Sequence, residues 1–178
     1  SSNNGTTFSP AARVNRASTG AQRNSEIATE NNSLFVVWED GLHDSGDIML
    51  SCSGDGGLTF NETHVSDHED GTQANPTLAV SGSRVAVAWE EYRSDNTIRI
   101  WNGVAQGNPV KEISGHIAAV RGVEFSPNGT YLASCSEDHT IKIWNTNTWT
   151  LFRNITTHTA EVPALNWSAD GKMLATGS

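Results

Sequence analysis

Residues 22–39 of this chain align with residues 73–90 at an offset of 51 without a gap, and residues 116–136 align with 158–178 at an offset of 42. The first match pairs Asn24 with Asn75, Ile27 with Leu78, Val36 with Val87 and Trp38 with Trp89. The second pairs Val120 with Val162, Phe125 with Trp167 and Leu132 with Leu174. Two shorter matches tie the halves together: TIRIWN (97–102) overlays TIKIWN (140–145), and SSNNGTTF (1–8) overlays SGDGGLTF (53–60). Repetition at this spacing means that each unit is one supersecondary element, which buries its apolar surface only against its neighbours.

Within each unit the apolar residues fall into short runs with period-two alternation, bounded by Gly, Asn, Asp and Pro. The nearest helical stripe, 11–28, is broken by Gly20 and holds few large apolar residues. Naming strands a to d outward from the inner one, the pattern predicts a lone d at Thr7–Val14, then Glu26–Thr29, Leu34–Glu39, Asp47–Ser51 and Thr59–Ser66 as one set. Thr77–Val80, Arg84–Glu90, Thr97–Asn102 and Val110–Ile113 form the next, and Gly122–Phe125, Tyr131–Cys135, Thr140–Asn145 and Thr150–Asn154 a third. Ala164–Trp167 and Lys172–Thr176 open a fourth. Four-stranded sheets at this period predict an all-β fold, a β-propeller of antiparallel blades with about four blades per chain. A middle strand of a blade is covered on both faces, which the runs LFVVW (34–38) and VAVAW (85–89) satisfy. A sandwich of the same strands is the alternative.

The net charge of −9, with three lysines, gives no electrostatic footprint for nucleic acid or anionic membrane. The longest apolar run, Leu34–Trp38, is far too short to cross a bilayer. The chain opens at Ser1 without Met, so a removed leader or tag is expected; the compartment is left open. Sequons at Asn4, Asn31, Asn61, Asn128, Asn154 and Asn166 are weak evidence for secretion in so Asn- and Thr-rich a chain. Cys52 and Cys135 fall in strands of different blades and are expected as buried free thiols, with a disulfide or reactive site as the alternative.

Ser53, Asp55, Gly57, Thr59 and Phe60, in the pattern S-x-D-x-G-x-T-F, resemble the Asp-box, the neuraminidase-type repeat of sialidases and related propellers. In that box the Asp carboxylate accepts backbone N–H bonds across a tight c–d hairpin, Gly supplies the turn and the aromatic packs into the blade. A softened copy at the start of the chain has Asn3 in the Asp place and keeps Gly5, Thr7 and Phe8. The resemblance implies a structural element remote from any active site.

The C-terminal half resembles the WD repeat, through Gly115-His116, SPNG (126–129), Ser134, and Asp138 two residues before TIKIWN. The resemblance implies a buried hydrogen-bond chain of His116, Ser134, Asp138 and Trp144 that holds one blade together. Asn145 and Asn102 depart from the usual Asp at the motif's end. His158 repeats the His role, with Thr157 in place of Gly and Thr176 in the Ser place.

These two resemblances predict a single propeller unit over 1–178 with sialidase-like blades over 1–92 and WD-like blades over 93–178. The seam is expected in the b–c turn of blade two, between Tyr92 and Asp95, as in an engineered chimera or a natural recombinant. Blades from six- and seven-bladed rings turn through roughly 60° and 51°, so four span roughly 200–240°. A homodimer is therefore expected, each chain half of an eight-bladed ring, with Thr7–Val14 completing the partner's last blade beside Ala164–Thr176. A compact four-bladed monomer is the alternative.

A sialidase would need an arginine cluster, a Tyr–Glu nucleophile pair and an acid/base Asp. Only Tyr92 and Tyr131 are available, and Glu39, Glu90 and Glu91 end b-strands, where exposed carboxylates are ordinary. His43–Asp47 and Asp67–Asp70 offer donors without calcium-loop or zinc spacing and read as solvated acidic loops. Trp149 and Phe152 are expected as exposed aromatics on an outer strand. No catalytic residue, metal or cofactor is expected. The function expected is a non-catalytic, self-assembling scaffold, with a natural propeller module binding peptide or glycan as the alternative and sialidase-like hydrolysis as a remote third.

Overall fold

A computed structural model describes residues 12–16, 20–41, 46–66, 72–91, 96–102 and 108–178. Four antiparallel sheets follow one another along the chain, each in simple sequence order. The first is β1 (Gln22–Glu30), β2 (Ser33–Asp40), β3 (Asp47–Ser53) and β4 (Asn61–His64). The second is β5 (Gln73–Ser81), β6 (Arg84–Glu91), β7 (Ile98–Asn102) and β8 (Lys111–Ile113). The third is β9 (Val120–Phe125), β10 (Tyr131–Ser136), β11 (Ile141–Asn145) and β12 (Thr150–Ile155). The fourth has two strands, β13 (Ala164–Trp167) and β14 (Leu174–Gly177). This is the β-propeller that the repeat period requires: meandering blades packed face to face.

Alternation along the middle strands decides which face meets which neighbour. Val85, Val87 and Trp89 of β6 pack with Leu78 and Trp101 against Phe35, Val37, Ile48 and Leu50 of the first sheet. Ala86 and Ala88, on the other face of β6, pack with Ile98 and Ile100 against Val123, Phe125, Leu132 and Trp144 of the third. A smaller layer of Cys135, Ile141 and Val162, with half-buried Leu165 and Leu174, joins the third sheet to the fourth. Arg99 crosses the first interface, its guanidinium 4.7 Å from the Trp89 ring centre and Nη1 donating to the Val65 carbonyl at 3.1 Å. A cation buried there is held by a ring face, a carbonyl and the Glu112 carboxylate, 3.1 Å from Nε, rather than by water.

Neighbouring inner strands are also tied by carboxylates. Glu26 Oε2 accepts the Leu78 N–H at 2.6 Å, and Glu124 Oε2 accepts the Trp167 N–H at 2.7 Å. Each bond satisfies a backbone donor on an inner edge that lacks a strand partner. Burial pushes both carboxyls above their ordinary range, against the pull of those N–H bonds.

The strand ends differ from the sequence pattern in two informative places. β1 and β5 begin at Gln22 and Gln73, four residues ahead of the apolar alternation, because a bulge between Arg23 and Glu26, and again between Ala74 and Thr77, lets pairing continue. Asn24 (φ 50°) and Asn75 (φ 49°) occupy the left-handed region within those bulges, which Asn tolerates better than most residues. β4 starts at Asn61 rather than Thr59 because Thr59 is taken by the preceding turn.

The lone N-terminal d-strand is corrected where it is described. Residues 12–14 form no strand, and the segment lies on the first blade of its own chain, not beside the fourth. The Val14 carbonyl accepts from Ser51 Oγ at 2.8 Å, and the Arg16 N–H donates to Glu62 Oε2 at 2.7 Å. The physical reason is cover: Val36, Trp38 and Met49 form the face of the first sheet turned away from the second, and Val14 and Asn15 border it. Residues 1–11, with Asn3, Gly5 and Phe8 of the softened box, and the seam at 92–95 lie outside the described residues.

Candidate functional site

His116, on the connection between the second and third blades, is brought against the middle of the third. Its Nδ1 lies 2.8 Å from Asp138 Oδ2 and its Nε2 2.8 Å from Ser134 Oγ, which also accepts the Trp144 Nε1–H at 2.9 Å. Asp138 Oδ2 accepts the Ile117 N–H as well, at 3.1 Å, while Oδ1 accepts from the Thr140 N–H and hydroxyl. Burial holds His116 below its ordinary value, more than the Asp138 carboxylate raises it, so the ring is neutral. A neutral ring donates from Nδ1 to Asp138 and accepts at Nε2 from the Ser134 hydroxyl, so every polar atom of the chain is used. Burial would raise Asp138, but the bonds from Thr140 and His116 outweigh it and hold the carboxyl down to about 2. Gly115 seats the indole: at φ +150° a Cβ there would stand 3.0 Å from Trp144 Cη2.

At the opposite rim, Asp55 organises the β3–β4 turn. Oδ1 accepts the N–H groups of Leu58 (3.0 Å) and Thr59 (2.9 Å), and Oδ2 accepts the Thr59 hydroxyl at 2.6 Å. Ser53 Oγ bonds Asp55 Oδ1 at 2.7 Å and accepts the Gly57 N–H at 2.8 Å, while Phe60 is half-buried behind the turn. The Thr59 hydroxyl, then its N–H, then Ser53 pull the Asp55 carboxyl well below the ordinary range. Asp55→Ala is therefore expected to speed amide exchange at Leu58 and Thr59, leaving β10 amides unchanged, as read by hydrogen–deuterium exchange.

Where the inner strands begin, a polar rail crosses three blades. Arg23 Nε pairs with Glu39 at 3.1 Å; Asn24 Nδ2 donates to Glu39 (2.9 Å) and to Asn75 (3.0 Å); Asn75 Nδ2 donates to Glu90 at 2.6 Å. Arg121 of β9 then bridges Glu90 to Glu137. Glu39 and Glu90 are thus ordered partners, and Glu39 is buried, which corrects the expectation of plain exposed carboxylates. The match of Asn24 with Asn75 at an offset of 51 was the sequence signal for this rail; Arg121 had none. On the same inter-blade connection as His116, Ile117 stands 86% exposed, its backbone pinned by Asp138.

The remaining candidates separate. Tyr131 opens β10 and stacks on Phe152, ring centres 4.8 Å apart. Trp149 is not an exposed outer-strand residue: it sits in the β11–β12 turn at φ 54°, half-buried, with the Arg84 guanidinium 6.0 Å from its ring centre. Cys52 and Cys135 are free and buried, and burial pushes both thiols up to about 12. Tyr92, His43–Ser45 and Asp67–Asp70 lie outside the described residues. Among the described residues no group of three or more His, Cys, Asp or Glu is placed to hold a metal, and no helix is long and apolar enough to cross a membrane.

Stacked meander blades, with a buried chain of His116, Asp138, Ser134 and Trp144 in the third, define a β-propeller. The WD domain, G-beta repeat family matches residues 107–145 and 149–178. Protein HIR1 of Mycosarcoma maydis is 37% identical over 159 residues, covering 80% of this chain and 14% of that protein. That coverage is too long to fit on either side of residues 92–95 alone, so the similarity crosses the expected seam. Nuclear distribution protein PAC1 of Arthroderma benhamiae is 31% identical over 115 residues, covering 60% of this chain and 25% of that protein. Among solved structures, a chain of the crystal structure of the mitotic checkpoint complex superposes with a TM-score of 0.62 over 88% of this chain and 47% of its own. At 17% identity that likeness shows the fold alone. This chain is a small part of the length of the curated relatives it matches.

Proposed function

We propose that this chain is a non-catalytic protein-interaction module that docks a peptide segment of a partner on the rim around Ile117. The observation that carries the reading is the state of that residue. A large apolar side chain is held 86% exposed while its backbone is fixed by Asp138, itself fixed by His116 and Thr140. Ordering costs are already met at such a position, which is what an anchor residue needs. Arg121, four residues further along the chain, pairs with Glu90 and with Glu137, the neighbour of Asp138, and these charges fit the polar rim that interfaces have around their apolar centre. The apolar anchor favours peptide over glycan, and the similarity to HIR1 and PAC1 favours a natural repeat protein. The test is selection of phage-displayed peptides on the immobilised chain, followed by calorimetric titration. Binding is expected to weaken tenfold or more in Ile117→Asp and to stay unchanged in Leu58→Asp on the opposite rim. Equal binding to both variants refutes the reading.

A second reading is a chimeric scaffold with its seam near residues 92–93, assembling in pairs toward an eight-bladed ring. Exposed apolar residues at both ends of the stack favour it, Ile27 on β1 at 62% and Met173 beside β14 at 67%. Light scattering decides it: twice 19.1 kDa supports pairing and a single 19.1 kDa species opposes it.

A further inference from the structure

The two rims of the stack differ in charge. At the rim where Ile117 stands, one carboxylate closes the second strand of each of the first three blades: Glu39, Glu90 and Glu137. Glu137 holds the place of Glu90, because Cys135 faces Ile141 as Ala88 faces Ile98. Asn24, Asn75 and Arg121 fasten the three carboxylates into one line, so none of them is free to turn away. Arg23 and Arg121 offset part of this charge, and buried Asp40 and Asp47 add to it. The opposite rim balances: Arg84, Lys111 and Lys172 stand against Glu30, Asp55 and Asp170. Backbone bonds bring Ile117 to the acidic line. The Glu137 N–H donates to the Ala119 carbonyl at 3.0 Å, and the Val162 N–H to the Ser136 carbonyl at 3.2 Å. The connections that carry Ile117 and Glu161 therefore both lie against the end of β10. Glu161 is exposed and has no side-chain partner among the described residues.

We propose that the segment docked on this rim is basic, an apolar residue flanked on both sides by Lys or Arg of a partner protein. The inference rests on the reading of the Ile117 rim as a peptide-docking surface and names the chemistry of its occupant. The apolar residue covers Ile117, and its cationic neighbours meet Glu90 and Glu137 on one side and Glu161 on the other. Carboxylates fixed in place before binding need no rearrangement to receive a cation, whereas an acidic segment would meet like charge along the whole line. In physiological salt such attraction is screened beyond about 8 Å, so the flanking cations must stand close to the anchor. The balanced rim opposite offers no such preference.

The probe is a random-peptide phage library panned on the full chain at low ionic strength, with the enriched peptides synthesised and titrated by calorimetry. Enriched peptides are expected to carry Lys or Arg on both sides of an apolar residue. Replacing those cations by Gln is expected to weaken binding about tenfold, and Ile117→Ser to weaken it as much. Glu161→Lys is expected to weaken it about fivefold, whereas Glu30→Lys, the same change of charge on the opposite rim, leaves it unaltered. Enriched peptides that need Ile117 but keep their affinity with Gln in place of Lys and Arg overturn the charge assignment and leave the anchor reading standing. Basic peptides indifferent to Ile117→Ser overturn both. Equal weakening by Glu161→Lys and Glu30→Lys would reduce the effect to attraction by the chain's overall charge and overturns the proposal, as does enrichment of no peptide at all.

Discussion

Trp144→Ala is expected to destabilise the chain by about 3–5 kcal/mol, the range for removing a large buried aromatic. The residue is 4% exposed and belongs to the apolar layer between the second and third blades, so its loss opens a void bordered by Phe125 and Leu132. The same change strips the donor from Ser134 Oγ. A domain of this kind is stable by roughly 5–15 kcal/mol, so the loss would consume a large share. Trp144→Phe separates the two contributions: it keeps most of the packing and removes only the Nε1–H bond, worth about 1 kcal/mol. Urea denaturation with an unchanged slope and a shifted midpoint is the measurement. If the two variants proved equally destabilised, the hydrogen bond and not the packing would be the dominant contribution.

The strands of this chain could be read from its sequence because blade strands alternate strictly and end on turn-formers. VAVAW splits into Val85, Val87 and Trp89 toward one neighbour and Ala86 and Ala88 toward the other. The residues of the third blade's polar chain could be named because the resemblance to the WD repeat implies them at these positions, and the register that sets Leu132 opposite Trp144 and Ser134 opposite Lys142 brings Ser134 and Trp144 together. Three things were not legible, each for a physical reason. The early starts of β1 and β5 depend on Asn24 and Asn75 taking left-handed backbone, which carries no hydrophobic period. The N-terminal segment read as an outer strand by its local alternation, yet residues 12–16 answer to Ser51 and Glu62, partners that only the folded sheet brings near. The exposure of Ile117 is the reverse of what its apolar side chain suggests, because the Asp138 bond to its N–H fixes the loop with that side chain outward.

Acidification is expected to weaken the chain in two separable windows. His116 has a folded-state value below the ordinary 6.5, because burial disfavours imidazolium more than Asp138 favours it. The unfolded chain therefore takes up this proton first as the pH falls. The stability associated with neutral His116 is complete above about pH 6.5 and drains away below it, with a slope of at most about 1.4 kcal/mol per pH unit for one proton. Asp138 acts lower: its carboxyl is held down to about 2 against an ordinary 3.8, so its contribution is complete above 3.8 and is lost as the pH falls through the folded value. Glu26 and Glu124 work in the opposite sense. Burial raises both above 4.5, so their ionisation costs stability as the pH rises past that value, and they flatten the profile where the windows meet. Comparison with His116→Gln isolates the upper window. The variant is expected to be less stable at pH 7.5, yet to lose less than wild type between pH 7 and 5.5, with the loss below pH 4 retained. Urea midpoints across that range provide the measurement. A variant that lost more than wild type over that interval would mean that the imidazole carries its proton in the folded chain, so that the Asp138 contact is an ion pair instead of a hydrogen bond from a neutral ring.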